Sequence, residues 1–188
     1  MSHQSSALLC IDLQREYFDP GRPLWVPEGA FVLTNTAKLV HKARHIGTPV
    51  VHVRHVSRKP GAVTFAPNSE FLEFPEDVSP RDGEYVITKS RPGAFYETAL
   101  DAHLQSLGIT RLFLCGLLSF MCVDTTAREA HARGYEVIFV RDATAALPIG
   151  DLSADVIHRV VCAIQGWMFS KVVCTDDAIK LLTGEPCD

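Results

Sequence analysis

The stretch RLFLCGLLSFMCVDTTAREAHARGY, residues 111 to 135, constrains the fold more than any other part of the chain. Arg111 to Leu117 is an apolar block bounded by turn signals and lacking alternation, the pattern of a strand covered on both faces. From Val123 the period changes. Val123, Ala127, Ala130 and Gly134 recur at helical spacing while Asp124, Arg128, Glu129 and Arg133 take the other faces, so a helix is predicted from about Met121 or Cys122. The period switch falls on Cys122. A cysteine in a first helical turn faces unpaired backbone N–H groups and the positive end of the dipole, both of which favour thiolate over thiol. Position alone leaves two readings open, an activated nucleophile or a buried core thiol, and the first requires a base elsewhere in the chain.

Strand and helix patterns alternate along nearly the whole sequence. SALLCID, residues 6 to 12, is an apolar strand ending in Asp12, and QREYFDPGRPLWVPEG reads as a loop carrying Tyr17, Phe18 and Trp25. Glu28 to Ile46 is predicted helical, with Gly47 as its stop, and Thr48 to Val56 is the second strand. Residues 57 to 83 form a long loop rich in proline, which either covers a site or meets a second subunit. Glu84 to Lys89 is the third strand, and a helix is predicted from about Tyr96 to Leu107. Tyr135 to Ala143 is the fifth strand, followed by a helix capped by Ser153 or Asp151 and running to about Trp167. Lys171 to Thr175 is the sixth strand, with a short closing helix from Asp176 or Asp177. This alternation predicts a parallel sheet with helices on both faces, in a single domain spanning residues 1 to 188.

Composition narrows the function. With 18 Lys plus Arg against 22 Asp plus Glu, the net charge is -4 and no basic cluster tracks phosphates, so nucleic acid is not an expected partner. The N-terminal residues carry no basic leader or long apolar run, so the expected location is the cytoplasm, without a membrane partner. The six cysteines are scattered without a C-x-x-C pair and read as free thiols: Cys10, Cys115, Cys162 and Cys174 as core filler, Cys187 as part of the tail. In a regular strand His52 and Arg54 share one face and His55 takes the other, so the two histidines cannot aim at one ion. No other cluster has the spacing of a zinc site, and neither a metal nor another cofactor is expected.

In a parallel sheet Asp12, Lys89 and Cys122 all fall at the carboxyl edge, where ligands collect in doubly wound folds. Around these residues the chain resembles the isochorismatase-like cysteine hydrolases, the superfamily of nicotinamidases, N-carbamoylsarcosine amidase and the ureidoacrylate and biuret amidohydrolases. ALLCIDLQREYF, VITKSRPGAF, CGLLSFMCVDTTAREA and VRDATAA carry the resemblance, in the family's order and spacing. It implies a Rossmann-like, three-layer α/β/α fold with a six-stranded parallel sheet in the order 3-2-1-4-5-6, and a catalytic triad of Cys122, Asp12 and Lys89. It also implies an oxyanion hole from the backbone N–H groups of Ser119 and Cys122, a cis peptide between Leu118 and Ser119, and a homo-oligomer, dimer or tetramer. The expected reaction is hydrolysis of a C–N bond in a small amide, carbamoyl or ureido substrate through a thioester.

Two departures shape the substrate. Nicotinamidases place an Asp-x-His metal motif after the second strand, where this chain reads VRHVSRKPG. Isochorismate hydrolases usually have glycine at the position of Cys122. Phe18, Trp25, Arg54, Phe65, Arg91 and Phe120 are candidate substrate-binding residues, and Arg54 or Arg91 would suit a carboxylate. The alternatives are a vinyl-ether hydrolase in which Asp12 acts without the thiol, and a non-enzymatic redox or binding protein that uses the thiol alone.

Overall fold

The computed structural model describes residues 5 to 185, and Cys187 lies outside them. The strands are β1 (Ser6–Ile11), β2 (Val50–His55), β3 (Tyr85–Lys89), β4 (Arg111–Leu117), β5 (Glu136–Ala145) and β6 (Lys171–Val173). They form one parallel sheet of six strands in the order β3-β2-β1-β4-β5-β6. The helices are α1 (Arg15–Phe18), α2 (Gly29–His45), α3 (Leu100–Ser106), α4 (Asp124–Ala132), α5 (Ala154–Ile164) and α6 (Thr175–Thr183). No helix among the described residues is long and apolar enough to cross a membrane.

The unbroken apolar blocks of β1 and β4 follow from burial on both faces. Ala7, Leu9, Ile11, Leu112 and Leu114 join one core with residues of α3, α4 and α5, such as Leu100, Leu104, Ala127, Ala130 and Ile157. Leu8, Cys10, Phe113 and Cys115 face the other core with Val32, Leu39 and Ala43 of α2 and Ala178 of α6. A fully buried leucine contributes about 2 kcal/mol, so these two layers are the main support of the sheet. β1 and β4 are neighbours at the centre, which places the switch in strand order between Asp12 and the segment after β4.

Several boundaries differ from the sequence reading, each through a tertiary contact. The helix expected from Tyr96 begins at Leu100, because Glu97 has a φ of 53° and the preceding loop is tied down: Thr126 Oγ1 accepts the Ala94 N–H at 3.1 Å and Glu129 Oε2 that of Phe95 at 3.1 Å. β6 ends at Val173, since Asp142 Oδ1 accepts the N–H and the hydroxyl of Thr175 and starts α6 there (2.7 and 2.8 Å). The helix expected to reach Trp167 stops at Ile164 and continues as a π turn, Gln165–Phe169, whose buried Gln165 bonds Asp124 and Ser170. The segment read as loop after Asp12 contains α1. The helix predicted from Met121 or Cys122 is preceded by a second π turn, Ser119–Val123, so Cys122 lies ahead of α4 rather than in its first turn.

Candidate active site

Asp12 directly follows β1, Lys89 is the last residue of β3, and Cys122 sits in the π turn after β4. The structure brings the three together. Lys89 Nζ donates to Asp12 Oδ2 at 2.7 Å and to Cys122 Sγ at 3.3 Å. All three are buried, Asp12 at 0%, Lys89 at 2% and Cys122 at 6% exposure, so the charges interact with little screening. Asp12 Oδ1 is buried with no hydrogen-bond partner, an acceptor held in reserve beside the thiol.

The backbone explains why these groups meet. At Gly116, φ 121°, a Cβ would run into the Ile11 carbonyl, so only glycine lets β4 approach the end of β1 this closely. Asp12 itself turns the chain with φ 52°, a region that aspartate tolerates better than most residues. The non-proline cis peptide joins Leu117 to Leu118, one residue earlier than the Leu118–Ser119 position expected, because the irregular backbone starts where β4 ends and the π turn already begins at Ser119. Leu118 O then accepts the N–H groups of Met121 and Val123 at 3.1 and 3.2 Å.

Electrostatics correct one expectation. Burial pushes the Cys122 pKa above the ordinary thiol value, the Asp12 carboxylate pushes it further, and Lys89 only partly opposes them. Burial and the Asp12 carboxylate thus oppose ionisation of the thiol, the opposite sense to that of a helix N-terminus. For Lys89 burial alone would lower the pKa, but the Asp12 carboxylate and the hydrogen bonds to Asp12 and Cys122 outweigh it and raise it, so the ammonium persists.

β2 lies between β1 and β3, so the Lys89 side chain must cross the end of β2 to reach Asp12. It crosses His55, whose Nδ1 lies 3.3 Å from Nζ, and it also donates to the Arg91 carbonyl at 3.1 Å. Gln14, fully buried, holds His55 by accepting its backbone N–H at 2.7 Å and donating to its carbonyl at 3.0 Å. Glu16, also buried, pairs with Arg22 and accepts the Phe65 N–H at 3.1 Å, which fastens the long loop over this edge. Tyr17 stands beside the site: burial raises its hydroxyl pKa well above the usual value, and the Asp12 and Glu16 charges add to the rise. The sequence reading passed over Gln14 and Glu16 and weighed His55 only as a metal ligand; their signal was polar residues at or just beyond strand ends.

Of the suggested substrate-binding residues, Phe65 is buried with its ring edge-on to His55, centroids 4.9 Å apart, and 5.3 Å from that of Tyr17. Phe120 is half-buried in the π turn itself, packed against both cores. Phe18 packs beside Gly29 at the start of α2, and Trp25 is exposed. Arg91 contributes its carbonyl while its side chain lies on the surface. Arg54 is not brought to the thiol: strand alternation turns it away from the His55 side, to donate to Thr88 Oγ1 and line a separate cavity with Leu72, Glu70 and Glu73. Asp142 serves α6 rather than the triad. Among the described residues no three His, Cys, Asp or Glu side chains converge as metal ligands.

The doubly wound parallel sheet thus gathers a buried thiol, carboxylate and amine at its carboxyl edge, where such folds bind their ligands. The chain belongs to the isochorismatase family of hydrolases, whose isochorismatase domain model matches residues 6–177. It is 38% identical to the isochorismatase family protein YddQ of Bacillus subtilis, over 94% of this chain and 99% of that one. It is 29% identical to maleamate amidohydrolase of Pseudomonas putida, over 94% and 86%. The crystal structure of an isochorismatase from Pseudomonas putida KT2440 superposes with a TM-score of 0.85 at 34% identity, covering 93% of this chain and 90% of that one.

Proposed function

We propose that this hydrolase is a cysteine-dependent amidohydrolase, cleaving the C–N bond of a small amide, carbamoyl or ureido substrate through a covalent thioester. The reading is carried by Lys89, which bonds Asp12 and Cys122 at once while Asp12 Oδ1 stays unpartnered next to the neutral thiol. A neutral thiol needs a base at the moment of attack. Asp12 takes the S–H proton, Sγ attacks the carbonyl carbon, and the N–H groups of Ser119 and Cys122, which the Leu118 carbonyl does not engage, receive the oxyanion. Asp12 returns its proton to the leaving nitrogen, and ammonia or an amine departs. Water, deprotonated by the same carboxylate, then attacks the thioester, releasing the acid and restoring the thiol. Lys89 remains charged throughout and keeps Asp12 oriented.

Phe65 and Phe120 are the apolar walls this mechanism uses. The exposed Arg91 suits a substrate bearing a carboxylate, a preference that similarity to a maleamate amidohydrolase supports. The test is ammonia release from carboxylated and neutral amides, carbamoyl compounds and ureides, by the native protein, Cys122→Ala and Asp12→Asn. Both variants are expected to lose all release. Turnover that survives Cys122→Ala but not Asp12→Asn rejects the thioester and leaves a hydrolase working without a covalent step.

We also infer a homo-oligomer. Val156, Val160 and Ile164 lie exposed on one side of α5 and Trp167, 81% exposed, follows in the π turn after it, and an apolar strip of this kind suits a subunit contact. Light scattering that returns a monomer mass would reject it.

A further inference from the structure

Lys89 Nζ has three N–H groups. Four acceptors lie within reach of it: Asp12 Oδ2 at 2.7 Å, the Arg91 carbonyl at 3.1 Å, and His55 Nδ1 and Cys122 Sγ at 3.3 Å each. One acceptor must go short. Asp12 has the shortest bond and the opposite charge, and the Arg91 carbonyl is fixed only two residues from Lys89, so the contested N–H falls between His55 and Cys122 at equal distances. A neutral imidazole nitrogen accepts far better than a thiol sulfur, whereas a thiolate accepts better than either.

His55 is held for this task. Gln14 grips its backbone on both sides and Phe65 packs on its ring, so the imidazole cannot swing away. Burial and the Lys89 charge lower its pKa, with Asp12 acting in the opposite sense, which favours the neutral ring. Accepting at Nδ1 puts the ring proton on Nε2.

We propose that His55 is a positioning residue that competes with Cys122 for one N–H of Lys89, keeping the nucleophile a thiol at rest and yielding that bond when the thiolate forms. The step balances: the S–H bond breaks, an O–H bond forms at Asp12 Oδ1, and Lys89 keeps all its protons while moving one hydrogen bond from His55 Nδ1 to Sγ. The inference rests on the reading of Cys122 as the nucleophile. The other titratable groups facing the thiol are Asp12, Lys89 and Tyr17, and the His55 variants leave all three residues in place.

The experiment is the pH profile of iodoacetamide alkylation at Cys122, read by peptide mass so that Cys162 and Cys174 do not contribute. His55→Leu removes the competitor and is expected to shift the profile down by about one pH unit, roughly tenfold faster alkylation at a fixed pH on the rising limb. His55→Gln, whose acceptor reaches past the Nδ1 position, is expected to shift it likewise; His55→Asn, which restores an acceptor there, stays within about twofold of the native profile. An unmoved or raised profile in both Leu and Gln variants, or an Asn variant that moves with them, overturns the proposal. If His55→Leu does not fold, the contrast between Gln and Asn decides. Alkylation needs no substrate, so a shifted profile without ammonia release rejects only the amidohydrolase reading, and ammonia release with an unshifted profile rejects only the role of His55.

Discussion

Two buried or near-buried carboxylates in this molecule pair with a cation and stand close to a histidine, yet they are built differently. Glu84 receives Arg44 on both oxygens at 2.8 and 2.9 Å, the Arg81 N–H at 2.9 Å and His52 Nε2 at 2.9 Å. Burial alone would raise its pKa, but these partners hold it at about 2. Asp12 receives Lys89 on one oxygen and nothing on the other. The saturated carboxylate locks β2, β3 and α2 together; the half-satisfied one keeps an open acceptor. What separates the two carboxylates is the number of partners on their oxygens, not their charge.

The comparison breaks most severely at Lys89. Lys89→Met leaves Asp12 without its cation and is expected to cost about 3 kcal/mol in urea unfolding and to reduce ammonia release by about a thousandfold. Arg44→Met should show a similar loss of stability with turnover retained, and a comparable fall in turnover would mean the two pairs are not separate in function. Gly116→Ala forces a Cβ into the Ile11 carbonyl at a positive φ, with an expected loss of about 3 kcal/mol and of activity together.

Glu84→Gln sharpens the contrast through pH. The folded Glu84 pKa lies at about 2 against an ordinary 4.5, so its stabilisation is complete above about 4.5 and is lost as pH falls from there towards 2. Thermal melts should therefore flatten between pH 4.5 and 2 in the variant, and an unchanged acid slope would remove Glu84 as the cause. The smallest effect belongs to the exposed pair of Arg58 and Glu97, 3.3 Å apart. Arg58→Ala is expected to change unfolding stability by under about 0.5 kcal/mol.

Much of this was legible from residues alone. Uninterrupted apolar blocks marked the strands, and a charged or reactive residue at three strand ends marked the carboxyl edge; the strand order and the roles within the triad came from family resemblance. What escaped depends on contacts distant in sequence. Strand alternation separated His55 from Arg54 but could not say which faced Lys89, so Arg54 was favoured and His55 weighed only as a metal ligand. The π turns leave the apolar period almost unchanged, which hid the true position of Cys122. The electrostatic surroundings of its thiol were hidden for the same reason, since burial beside a carboxylate cannot be seen in a local pattern.

The ties to α4 and to α1 divide the work around the thiol. Thr126 and Glu129 fasten the loop after Lys89 to the helix after Cys122, whereas Gln14, Glu16 and Arg22 carry the 57–83 loop with Phe65. Lys89 and Cys122 are thus registered to one another by one mechanical unit, and the loop proposed to meet the substrate hangs from another. A designer can graft a different 57–83 segment, keeping the residues that anchor it, and retune which molecules are accepted without realigning the chemistry.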